Sequence, residues 1–109
     1  MAISVELIHL RPVETIVIAT RSNVYELVVL GGDRGDVLVR GGRYFSEVTP
    51  ALFLGSIADD GSLKPHTIDI GLRMKFVLGE RFIVTSPVQS LSHDNDRLEK
   101  TRSITTSAA

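Results

Sequence analysis

Short runs in which apolar and polar residues alternate, each closed by glycine, limit what this chain can become. In DVLVR, Val37 and Val39 share one face while Leu38 and Arg40 share the other; in LRMKFVL, Leu72, Met74 and Phe76 oppose Arg73, Lys75 and Val77. Successive side chains of an extended chain point to opposite faces, so a period of two describes half-buried strands. Glycines recur at the spacing of turns, in GGDRG at 31–35, at 41 and 42, and singly at Gly55, Gly61, Gly71 and Gly79. The expected fold is all-β: a small barrel or β-roll of six or seven mostly antiparallel strands.

The segments that read as strands are ISVELIHL, ETIVIATR, NVYELVVL, DVLVRG, TPALFLGS, TIDIGLRMKFVL and RFIVTSPV. IVIA does not alternate cleanly, which suits a strand covered on both faces, or a barrel strand packed inside and contacted outside by a terminal segment. GGDRG supplies the loop, with room for a bulge, between LVVL and DVLVR, and Gly79 supplies the turn between MKFVL and RFIVT. Thr49 and Pro50 have the chemistry of a helix start. Gly55 would end that helix after six residues, a length that suits a strand better. ADDGSLKP, 58–65, reads as an exposed loop with an Asp-Gly turn, and in VLVRGGRYF the strand is expected to end at Arg40, with Gly41 to Phe45 forming a turn or bulge.

With 109 residues the chain makes one domain. Folding at this size buries roughly two thirds of the unfolded surface, enough to dispense with metals and disulfides. The body is expected over 1–91 and a polar tail over 92–109, whose only apolar residues besides alanine are Leu98 and Ile104. Such a tail cannot bury enough to offset its ordering entropy and is expected to be disordered unless a partner holds it. The absence of cysteine excludes a disulfide framework, a thiol nucleophile and a thiolate metal site. MAISVELIHLRP lacks a basic start, and no apolar run approaches the roughly 18 residues of a membrane span, so a cytoplasmic protein without a membrane partner is expected.

Residues for chemistry are sparse. His9, His66 and His93 show no metal-ligand spacing, and Asp59, Asp60 and Gly61 lack the alternating acids of a calcium loop. Ser56 and Ser86 stand outside any nucleophile elbow. GGDRGD matches no phosphate loop, and its Arg34-Gly35-Asp36 tripeptide reads as a turn rather than an adhesion signal. No catalytic residue, no metal site and no cofactor is expected.

A surface is what remains. Twelve basic against thirteen acidic side chains leave a net charge of −1, so nucleic acid would need a local patch. Arg21, Arg34, Arg40 and Arg43 lie close in sequence, with Glu26, Asp33 and Asp36 among them. Arg21, Asn23 and Tyr25 flank one turn; Arg40, Arg43 and Tyr44 flank another, and guanidinium beside an aromatic ring is what single-stranded nucleic acid or a small anion uses. Against that stands the ordinary use of Tyr25 and Phe45 as core residues.

TRSNVYELVVL, VLVRGGRYF, GLRMKF and IVTSPVQS, spanning about Thr15 to Leu91, resemble a small group of uncharacterised bacterial single-domain proteins of about this size. The resemblance implies a bacterial, cytoplasmic setting and no particular activity. Three readings are open: a non-catalytic β-barrel interaction module that assembles with itself or another protein, a binder of single-stranded nucleic acid or a small anion through the Arg/Tyr rim, and an enzyme of unrecognised type.

Overall fold

The computed structural model describes residues 4–10 and 13–93. Its elements are β1 (Ser4–Glu6), a 3-10 turn (Leu7–His9), β2 (Thr15–Thr20), β3 (Val24–Gly31), β4 (Asp36–Gly41), β5 (Phe45–Ile57), β6 (Leu63–Pro65), β7 (Thr67–Asp69), β8 (Arg73–Leu78) and β9 (Arg81–His93). Six strands, β2, β3, β4, β5, β8 and β9, follow one another around an antiparallel barrel that closes where β9 pairs with β2. The all-β barrel read from the sequence is therefore the fold.

The period-two pattern decides which side chains fill it. Ile16, Ile18, Leu27, Val29, Val37, Val39, Met74 and Phe76 point inward and are fully or almost fully buried, while their sequence neighbours face out. Phe45, Phe76 and Phe53 meet across the middle, with ring centroids 5.5 and 5.3 Å apart. A barrel of this strand number has an interior just wide enough for side chains, and aromatic contacts of this kind add to the burial of area alone.

Closure is staggered. Leu52 on β5 lies opposite Asp36, at the start of β4, and on its other side opposite Val77, near the end of β8. The strands that accommodate this stagger are β5 and β9, each 13 residues long. Phe45–Leu52 pairs with β4, whereas Leu52–Ile57 pairs with β8. In the same way Arg81–Pro87 pairs with β8, and Val88–His93 with β2.

The N-terminal segment closes the barrel end at the β3–β4 turn. β1 pairs with β7, the Leu7 amide donates to the His66 carbonyl, and Leu7 and Ile68 are fully buried beneath the segment. A Cβ on Gly32 would stand 2.0 Å from the Leu7 carbonyl oxygen, so the second glycine of GGDRG is needed for this close approach as well as for turning the chain.

Several boundaries differ from the sequence reading. Within ISVELIHL, Ser4–Glu6 is a short strand followed by a 3-10 turn, because Leu7 must drop into the barrel end. TIVIAT alternates cleanly as a barrel strand packed on its inner face, with Ile16, Ile18 and Thr20 inside and Val17 and Ala19 half-buried outside, and is not covered on both faces. TPALFLGS is strand, as favoured, but belongs to a β5 that already begins at Phe45. ADDGSLKP is only partly loop: after the Ala58–Ser62 turn, Leu63–Pro65 adds β6 to β5. TIDIGLRMKFVL is split into β7 and β8 by a turn in which the Leu72 amide donates to the Asp69 carbonyl. β9 extends to His93, two residues beyond the expected end of the body, and the expected tail from residue 94 onward lies outside the described residues.

Gly32→Ala is expected to lift the N-terminal segment off the barrel end while the barrel stays closed, at about 1–3 kcal/mol for the forced overlap. Limited proteolysis should then cut before Thr15 far faster than in the parent; unchanged cleavage would contradict the close packing described.

Candidate functional site

The six residues of the expected Arg/Tyr rim separate in the fold. The β2–β3 turn carries Arg21 and Asn23, the β4–β5 turn carries Arg43 and Tyr44, and the turns are neighbours because Tyr25 pairs with Gly41. All four side chains are exposed, Tyr44 to 47%. Tyr25 instead enters the barrel, 4% exposed, with its ring edge-on to Phe45 at 6.5 Å. Arg40 stands on the outer wall of β4 and is paired with Glu26 on β3. Among the described residues Arg21 and Arg43 have no ion pair.

Burial raises the Tyr25 pKa above its ordinary value, opposed by the Asn23 side chain hydrogen-bonded to the phenol. Gly42, in the left-handed region at φ +61°, leaves the space that the phenol occupies: a Cβ there would sit 2.7 Å from the Tyr25 hydroxyl. The RGG of VLVRGGRYF therefore accommodates a core tyrosine beside a turn. The rim is anchored from behind by hydroxyls. Thr20 accepts from the Ser22 and Asn23 amides and from the Ser86 hydroxyl, and its own hydroxyl donates to the Asn23 carbonyl.

Among the described residues the titratable groups lie apart from one another or in simple pairs. No three His, Asp or Glu side chains come together in a way that could hold a metal among the described residues. His9 is exposed at the end of the 3-10 turn, and half-buried His66 lies against Gly35 between β6 and β7. Buried Ser56 accepts from the Asp69 amide and donates to the Thr67 carbonyl, so its hydroxyl holds β7 against β5. Asp69 pairs with Lys64, and Asp60 is held below the usual carboxylate range by the Ser62 hydroxyl and amide in an exposed turn.

The feature the sequence reading missed is on the outer wall. Leu52, Val77 and Phe82 stand in register across β5, β8 and β9, all on the outside, with Phe82 65% and Leu52 40% exposed. Val84 follows Phe82 on the same face of β9. Lys75 lies 4.5 Å above the Phe82 ring, flanking the patch with a cation. An open groove of about 310 Å³ lies against Leu52, lined also by Asp36, Pro50, Ala51, Val77 and Gly79. Farther around the wall a smaller groove, about 160 Å³, is lined by Val28, Leu38, Val48, Glu26 and Arg40. The signal was present in RFIVT, but Phe82, Ile83 and Val84 are all apolar, and alternation cannot say which of them faces inward.

No described helix is long and apolar enough to cross a membrane. Because the unfolded chain ionises a tyrosine near pH 10 while folded Tyr25 holds its proton to higher pH, the native state binds more protons there and stability falls as pH rises through that range. Tyr25→Phe should flatten this alkaline loss in denaturant titrations, and an unchanged slope would contradict the buried placement of the phenol. Compared with protein families, curated proteins and solved structures, the chain matches none.

Proposed function

We propose that this barrel is a non-catalytic interaction module, bacterial and cytoplasmic in setting, that binds a protein partner through its outer wall. The observation that carries the reading is the register of Leu52, Val77 and Phe82. Single exposed apolar residues are ordinary on any protein, but three aligned on adjacent strands and continued by Val84 form a contiguous patch. The fold has no need of it, since the interior is already filled by Phe45, Phe53, Phe76 and the aliphatic residues around them. An aromatic centre with a flanking cation has the composition of a protein interface core and its rim.

The nucleic-acid or anion reading keeps part of its support. Arg21, Arg43 and Tyr44 are exposed on neighbouring turns, and the two arginines have no ion pair among the described residues. It has lost two members, Tyr25 to the core and Arg40 to Glu26, and a pair of arginines gives only a weak electrostatic term at a net charge of −1.

A photo-cross-linking amino acid placed at Phe82 in cells should give a discrete protein adduct, and one placed at exposed Gln89 on the same strand should not. Equal labelling at both positions, or none at Phe82, would contradict the proposal. For the second reading, oligonucleotide affinity that falls steeply with salt and is lost in Arg21→Ala/Arg43→Ala would revive it; a flat titration would remove it.

A further inference from the structure

We propose that the partner is a second copy of this chain, added as an antiparallel strand along the free edge of β9 at Arg81–Thr85. The inference rests on the interaction reading above and specifies its partner. β9 pairs with β8 through Arg81–Pro87 but reaches β2 only from Val88, so among the described strands none lies against the other edge of Arg81–Thr85.

The hairpin fixes which groups this edge offers. Leu78 and Arg81 flank the two-residue turn Gly79-Glu80 and form its first hydrogen-bonded pair. Phe76 and Ile83 are the next such pair, so Val77–Phe82 and Lys75–Val84 are the non-hydrogen-bonded ones. The main-chain N–H and C=O of Phe82 and Val84 therefore point away from β8, along the open edge. Their side chains are the ones exposed on the outer wall, Phe82 at 65% and Val84 at 44%.

Two other open edges, on β5 and β6, are protected against such pairing, and this one is not. The part of β5 before Leu52 has β4 on one side only, but it carries Glu47 and Pro50; β6 carries Lys64 and Pro65. Charge and proline are the usual means of blunting an edge. Within Arg81–Thr85 the sole charge is Arg81, at the end beside the turn, and the proline of β9, Pro87, lies beyond this segment.

The sequence of the edge is also complementary to itself. Two identical antiparallel strands are related by a two-fold axis, and an axis through Ile83 sets Phe82 opposite the partner's Val84 and Arg81 opposite the partner's Thr85. The four outward groups of Phe82 and Val84 then exchange hydrogen bonds with their counterparts, and no like charges face each other. An axis through Phe82 would instead set Glu80 against the partner's Val84. With the axis at Ile83, the outer patch runs unbroken from Leu52 and Val77 through Phe82 to the partner's Val84.

Sedimentation of the intact chain at micromolar concentration should give about twice 11.9 kDa. Amide exchange followed by NMR should show Phe82 and Val84 protected in the dimer and exchanging at least tenfold faster on dilution to monomer. Val84→Pro, which removes an N–H that the monomer does not use, should give monomer; Val84→Lys serves the same purpose should the proline variant not fold. A parent that stays monomeric at every concentration overturns the proposal, as does a dimer that survives in a folded Val84 variant. A dimer with freely exchanging Phe82 and Val84 amides that Leu52→Lys dissolves also overturns edge pairing, yet leaves the outer-wall reading standing. Loss of that wider reading is recognised separately, by the missing adduct at Phe82.

Discussion

Six strands can close on themselves only by tilting and sliding past one another, and strand number and stagger together fix how wide an interior the side chains must fill. Here the enclosed group is a contact chain of phenylalanines, Phe45 to Phe76 to Phe53, extended by the edge of Tyr25. To surround it, β5 and β9 run far past the ends of some neighbours. A barrel is usually the arrangement that abolishes open strand edges. In this one the overhang of β9 leaves an edge beyond β2, and the same stagger aligns Leu52, Val77 and Phe82 on the outside. Core packing and candidate surface are thus consequences of a single geometric demand.

The ends of the barrel are treated differently. At the β3–β4 turn the N-terminal segment inserts Leu7 and leans on Gly32, so that end is closed by packing. At the opposite end the Thr20 and Ser86 hydroxyls tie the β2–β3 turn to β9, leaving Arg21, Arg43 and Tyr44 exposed on neighbouring turns. Polar rigidity there suits a rim, whereas the apolar outer wall suits a broad contact. The two surfaces meet different chemistry and need not serve the same partner.

Much of the fold was legible because backbone and side chain agree locally. DVLVR and RMKFVL alternate with one clearly polar face, and Gly79 sits between two apolar runs, so both strands and the second hairpin could be read directly. The N-terminal segment could not, since Leu7 leaves the strand to cover a barrel end that exists only once distant strands have closed. The candidate site was hidden for a related reason. FIV at 82–84 is apolar on both faces, and only the closed barrel decides that Ile83 is core while Phe82 and Val84 are surface. Tyr25 was legible both as a core residue and as a contact beside a turn, and the space at Gly42 decides for the core.

Denaturant unfolding of monomeric protein, comparing Phe82→Lys with Phe76→Ala, tests most directly whether the outer patch lies outside the core. Loss of a fully buried phenylalanine should cost about 3–5 kcal/mol, whereas a lysine at Phe82, which loses only the contact with Lys75 and adds a like charge beside it, should cost no more than about 1 kcal/mol. A comparable loss for both variants would mean that Phe82 belongs to the packed interior of the monomer and that the wall is not free to bind.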